Sequence, residues 1–163
     1  MTEDARCHEG LIDWPAALES AGGDTALMLE LIGVFLEEAT NQMATIRRSI
    51  DQRDIESLHR AAHTLKGSLR LFPTKVASSL AQELESSLRE IADTLKEIEA
   101  QTKVLPEDRR AIEKQRLMEA HGITPPRLSA AFGGAQKLLG QLEPQMALVI
   151  AALKGRLEQQ TPG

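Results

Sequence analysis

Residues 24–50 read DTALMLELIGVFLEEATNQMATIRRSI. Leu27, Leu31, Phe35, Ala39, Met43, Ile46 and Ile50 recur at spacings of three and four, the repeat of a helix with one apolar face. Asp24 stands where an N-cap carboxylate accepts from the first free amides, and the pattern predicts one helix to about residue 51.

The same signals organise the chain on either side. Upstream, Asp13 is placed to cap a short helix with Pro15 in its early turn, which Gly22-Gly23 then stops. Downstream, Asp54 opens a third helix through about Arg70, closed by Pro73. A fourth runs from about Thr74 with Val76, Leu80, Leu84, Leu88, Ile91 and Leu95 on one face, fading towards residue 103. Residues 104–133 differ in character. PEDRRAIEKQRLMEAHG, residues 106–122, has helix-start chemistry in Pro106, Glu107 and Asp108 and ends in Gly122, but its apolar stripe is thin. Thr124-Pro125-Pro126 and Gly133-Gly134 punctuate the stretch after it. The last helix carries Ala135, Leu138, Leu139, Leu142, Met146, Val149, Ile150, Leu153 and Leu157, with a kink expected at Pro144.

Four long amphipathic helices, with no repeat, strand-like alternation or low-complexity tract, point to an all-α fold. The architecture they predict is an antiparallel four-helix bundle with a short N-terminal helix and a helical insertion between the last two long helices. One domain then spans residues 1–163, with the bundle in 13–95 and 134–158 and the insertion in 96–133.

Composition agrees. Hydrophobic residues make up 42% of the 163, aromatics only 2%, and tyrosine is absent, so the core is aliphatic. A net charge of −5 argues against a general nucleic-acid surface. The single cysteine, Cys7, excludes an internal disulfide framework and cannot build a structural zinc site alone. No run of about 18 apolar residues exists, so no membrane span is predicted. The N-terminus MTEDARCHEG is polar and acidic, unlike a signal peptide. The expected location is cytoplasmic, for a free-standing protein or a piece of a larger one.

The third helix carries the chemistry. In HRAAHTLKGSLR, residues 59–70, a glycine sits inside a helix, at about 1 kcal/mol relative to alanine. At about 100° per residue, Leu58, Ala61, Ala62, Leu65, Leu69 and Phe72 gather opposite His63, which therefore points to solvent. His59, Arg60, Lys66, Gly67 and Arg70 share that exposed face. Gly67 strips steric cover from one side of the imidazole, so another macromolecule can approach closely. A neutral imidazole is a nucleophile at physiological pH, and Lys66, Arg60 and Arg70 can offset the charge of a phosphoryl group placed on it. Phosphoryl transfer depends on positioning and charge stabilisation, so one exposed helix face is an adequate half-site if a partner brings the metal and the other half. The chain has no P-loop and no GxGxxG loop, which makes it a phosphocarrier rather than an enzyme with its own ATP site. A metal site on His59 and His63 is short of ligands, with Glu56 the one carboxylate near them in sequence.

AHTLKGS, residues 62–68, resembles the signature of the histidine-containing phosphotransfer (HPt) domain family of bacterial phosphorelays. DWPAALESAGGDTALMLELIGVFLEEA, residues 13–39, is similar to that family's first helices, and VASSLAQELE, residues 76–85, to the helix after the signature. The resemblance covers roughly 13–95 and more loosely 134–158. It implies that His63 is phosphorylated, that Lys66 is the cation near the phosphoryl group, and that Gly67 gives a response regulator access. Gln82 falls where the facing helix often has polar groups. The implied partners are a response-regulator receiver domain, a hybrid histidine kinase, or both, with a receiver phosphoaspartate as donor and another receiver as acceptor. No cofactor of its own is implied; Mg2+ is expected on the receiver, and neither nucleic acid nor membrane is a partner of the expected monomer. Two departures stand out. Pro73 replaces the glycine of many members, and residues 96–133 replace a short loop. Two alternatives remain: the N-terminal phosphotransfer domain of a chemotaxis-type kinase, and a degenerate helical interaction module. The joint presence of His63, Lys66 and Gly67 argues against the second.

Overall fold

The computed structural model describes residues 10–160; Cys7 and most of the acidic N-terminus lie outside them. Among the described residues the fold is all-helical, with six helices and no strand: α1 (Trp14–Ser20), α2 (Thr25–Gln52), α3 (Ile55–Ser68), α4 (Lys75–Thr102), α5 (Glu107–Ala120) and α6 (Pro125–Gln160). Among the described residues no helix is long and apolar enough to cross a membrane.

The helix starts follow from their caps. The Asp13 carboxylate accepts from the Ala16 amide, Asp24 from those of Ala26 and Leu27, and Asp54 from that of Ser57. Gly22 and Gly23, at φ +65° and +79°, turn the chain between α1 and α2 in a conformation that side chains disfavour. Arg53 ends α2 in the left-handed region at φ 54°, a strained place for a residue with a Cβ. Its guanidinium is held on α6, donating to Ser129 Oγ at 3.0 Å and stacking 4.8 Å from the Phe132 ring centroid.

Helix α2 packs on α3, α3 on α4, and α6 on both α4 and α2; α5 lies on α4 alone and α1 on α2. Leu58, Ala61, Ala62, Leu65, Leu69 and Phe72 are all buried, as the α3 periodicity predicts. Phe72 meets Phe35 of α2 edge to face at 5.3 Å. The start of α1 is tied to the α3–α4 turn, where the Asp13 amide donates to the Pro73 carbonyl at 2.9 Å.

Four expectations change. The buried stripe at the start of α2 is Met28 and Ile32, while Leu27 is exposed and Leu31 only half-buried. Repeated steps of four drift about 40° each around a helix, whereas Met28, Ile32, Phe35, Ala39, Met43, Ile46 and Ile50 stay close to the true period. Val76 is likewise exposed, with Ala77 taking the inward position beside it. The last helix does not begin at Ala135. It starts at Pro125 and runs unbroken through Gly133, Gly134 and Pro144. Pro125 suits a first helical turn, and the burial of Phe132 and Ala135 on either side of the two glycines outweighs their poor propensity. Helix α4 is also longer on its packed side than the predicted start of the insertion at residue 96, since Ile98 and Thr102 are fully buried. Helix α5 buries no residue.

Candidate functional site

His63 projects from the middle of α3 with 65% of its side chain exposed. Burial of Ala62 and Leu65 on either side of it aims it outward. What faces it across the groove is a residue of α4. Glu85 follows Ala81 by four and precedes Leu88 by three, so it occupies the same inward stripe, and its side chain is only 2% exposed.

A carboxylate so placed needs compensating charge, and both helices supply it. Arg89, one turn further along α4, binds it in bidentate fashion, with Nε donating to Oε1 at 3.1 Å and Nη2 to Oε2 at 2.5 Å. Lys66 Nζ donates to Oε2 at 3.1 Å from α3. The Arg89 guanidinium, and after it Lys66, hold the Glu85 pKa down at about 2 against the opposing effect of burial. The pairing raises that of Arg89 in turn. On Oε1, His63 Nδ1 lies 3.5 Å away and His59 Nε2 3.4 Å away.

The predicted site residues divide accordingly. His59, Arg60 and His63 line one open cleft of about 490 Å3 together with Glu85, Arg89 and Lys96. Lys66 belongs to the same cluster, but it is 13% exposed and anchored on Glu85 rather than free in solvent. Gly67 is exposed, and a Cβ built on it meets nothing within 4 Å. Nothing among the described residues therefore requires a glycine there. The next residue, Ser68, is buried and fastens α3 to α2, its hydroxyl 3.0 Å from Glu38 Oε2. Arg70 lies beyond the end of α3 and does not line the cleft. Gln82 is exposed, and its amide donates to Ser86 Oγ at 2.8 Å along its own helix.

Glu56 is thus not the only carboxylate near the histidines: Glu85 comes between them from the neighbouring helix. It and Arg89 are the two functional candidates that sequence reasoning missed. Their signal was a glutamate interrupting the Ala81–Leu88–Ala92 stripe, with an arginine four residues on. With Lys66 and Arg89 on the carboxylate, the surroundings favour an anion over a further cation. No group of three or more residues able to hold a metal ion is present among the described residues.

The family model of the Hpt domain matches residues 30–120, a span that contains α3, α4 and the whole cluster. The crystal structure of the HPT domain from the Hpt sensor hybrid histidine kinase from Shewanella is similar over 82% of this chain and 97% of that one. The two share 20% identity with a TM-score of 0.46. No curated protein matches the sequence.

Proposed function

The chain belongs to the Hpt domain family, and we propose that within two-component signalling it is a phosphorelay intermediate whose His63 takes a phosphoryl group from a receiver-domain phosphoaspartate and passes it to another receiver. The observation that carries this reading is the buried Glu85 carboxylate 3.5 Å from Nδ1 of an imidazole that is 65% exposed. A carboxylate there favours a hydrogen on Nδ1 and leaves the Nε2 lone pair as the nucleophile. Attack on the aspartyl phosphate forms the Nε2–P bond as the aspartyl O–P bond breaks, and the receiver recovers its carboxylate. Nδ1 keeps its hydrogen, so no proton has to leave; the ring becomes positive and Glu85 offsets that charge. Return transfer to a second receiver runs the same step backwards.

Arg60 and Arg89 line the cleft beside His63 and can meet the phosphoryl oxygens. Lys66 has donors beyond the one it gives Glu85, so it acts on the carboxylate and the phosphoryl group together. The metal ion that receiver chemistry needs, Mg2+, comes with the receiver. Gly67 leaves the approach open. We read α2, α3, α4 and α6 as an antiparallel four-helix bundle, with α5 and its flanking turns, residues 103–124, as the insertion. Incubation with a panel of phosphorylated receiver domains tests the reading: label should move to wild type and not to His63→Gln. Transfer to neither protein from any receiver would overturn it.

A further inference from the structure

Glu85 faces more donors than its oxygens can serve. An ionised carboxylate offers about four acceptor directions. Arg89 takes one on each oxygen, and Lys66 takes the second on Oε2. The remaining direction is on Oε1, and two imidazoles face it, His59 Nε2 at 3.4 Å and His63 Nδ1 at 3.5 Å. Neither closes a hydrogen bond, and His59 Nε2 is buried with no other partner among the described residues. The two rings stand one turn apart on α3 with centroids 6.4 Å from each other.

We propose that His59 is a positioning residue for His63: it competes for the last acceptor direction of Glu85 Oε1 and so sets how firmly His63 Nδ1–H is held. The proposal rests on the reading of His63 as the phosphoryl acceptor. While His59 is uncharged, the two imidazoles compete as neutral donors. Once His59 takes up a proton, the charge-assisted bond tips Oε1 towards it. His63 then loses the group that fixes its tautomer and offsets its developing charge. Protonation of His59 therefore slows phosphoryl uptake in addition to any protonation of His63 itself.

The cleft that His59 lines is walled by α3 and α4. Its other charged groups are Glu56 and Arg60 on α3 and Arg89, Asp93 and Lys96 on α4. Among the described residues only Glu85 reaches ion-pair distance of His59, so neither Glu56 nor Asp93 relieves the competition.

Two substitutions of opposite sign test it. His59→Leu removes the competing donor, and His59→Lys replaces it with a permanent cation. Initial rates of uptake from a phosphorylated receiver are followed across the imidazole range, about pH 5 to 8. The wild-type rate should fall on the acid side more steeply than one proton allows. His59→Leu should fall with the slope of one proton and be about threefold faster than wild type on the acid side. His59→Lys should be slower than wild type on the alkaline side. Nitrogen NMR of the unphosphorylated protein adds a readout independent of transfer: the Nδ1–H tautomer of His63 should decline as His59 titrates in wild type and lose that dependence in His59→Leu. Equal acid slopes with an unchanged His63 tautomer, or equal impairment in both variants, would overturn the proposal. Coupled NMR titrations without uptake from any receiver would support the shared oxygen and overturn the acceptor reading instead.

Discussion

Arg89 Nη2 lies 2.5 Å from Oε2 of Glu85, one turn away on α4, and with Lys66 it keeps a 2%-exposed carboxylate ionised. Folding thus lowers the Glu85 pKa from 4.5 to about 2. A group depressed in the folded state contributes stability above its unfolded pKa and loses it as pH falls through the folded one. The contribution is at most about 3 kcal/mol, and it fades as pH drops from about 4.5 to about 2. Urea unfolding should show wild type losing much of its margin between about pH 5 and pH 3. Glu85→Gln, which leaves Arg89 and Lys66 without their anion, should be less stable near pH 7 by roughly 2–4 kcal/mol and show a flatter acid dependence. Parallel acid profiles for the two proteins would show that Glu85 is not the group responsible.

His63→Gln should separate site from fold. The side chain is 65% exposed and its Nδ1, 3.5 Å from the buried Glu85 carboxylate, closes no hydrogen bond with it, so helical content and unfolding free energy should stay within about 0.5 kcal/mol of wild type. Phosphoryl uptake from a receiver should vanish. Uptake at a normal rate, for instance on His59, would remove His63 from its assigned role.

Gly67→Gln should act with opposite signs on stability and transfer. A Cβ at this position meets nothing within 4 Å, so replacing glycine in the helix gains a few tenths of a kcal/mol or more. On the proposed reading the same side chain projects into the path of a receiver, and transfer should then slow about tenfold or more, a loss of roughly 1.4 kcal/mol in the transition state. A thermal melt and a transfer assay on one preparation decide the matter. Unchanged transfer would make Gly67 a tolerated surface glycine.

Lys66→Ala and Arg60→Ala should differ more than their shared charge suggests. Lys66 is mostly buried and paired with Glu85, so truncating it should lower stability by about 1–3 kcal/mol as well as reduce transfer. Arg60 is exposed, and its loss should change stability by about 0.5 kcal/mol or less. Receiver docking, measured by calorimetry, should survive in Lys66→Ala. Abolished docking would turn Lys66 into an interface residue.

Much of this was legible in the chain because its information is local. The caps at Asp13, Asp24 and Asp54 and the stripe from Leu58 to Phe72 each act within a few residues, and α1 to α3 follow them closely. The outward aim of His63 follows from the same stripe. Glu85 was hidden because its role depends on which face of α4 meets α3, a tertiary fact that periodicity on one helix leaves open. Lys66 looked free for the same reason. The start of α6 was misplaced because Gly133-Gly134 signals a break locally, whereas the packing of Phe132 under Arg53 overrides it.

That placement of α6 changes which residues are dispensable. Helix α5 fully buries none of its residues and packs on α4 alone among the described helices, through the partly buried Leu117 and Met118 and pairs such as Lys114 Nζ to Glu99 Oε2 at 2.7 Å. Exposed ion pairs of this kind contribute about 1 kcal/mol or less. Replacing residues 106–121 by a short Gly-Ser linker, with Ile123 and all of α6 retained, should therefore leave a cooperative helical fold and a phosphorylatable His63. Residues 125–133 are different. Phe132 is 5% exposed, lies beneath the Arg53 guanidinium and belongs to the core, so Phe132→Ala should cost about 3–5 kcal/mol. Denaturant unfolding of the two variants reads both effects at once. If excising α5 unfolded the protein while Phe132→Ala were tolerated, the insertion would be the structural element and the first turns of α6 the accessory one.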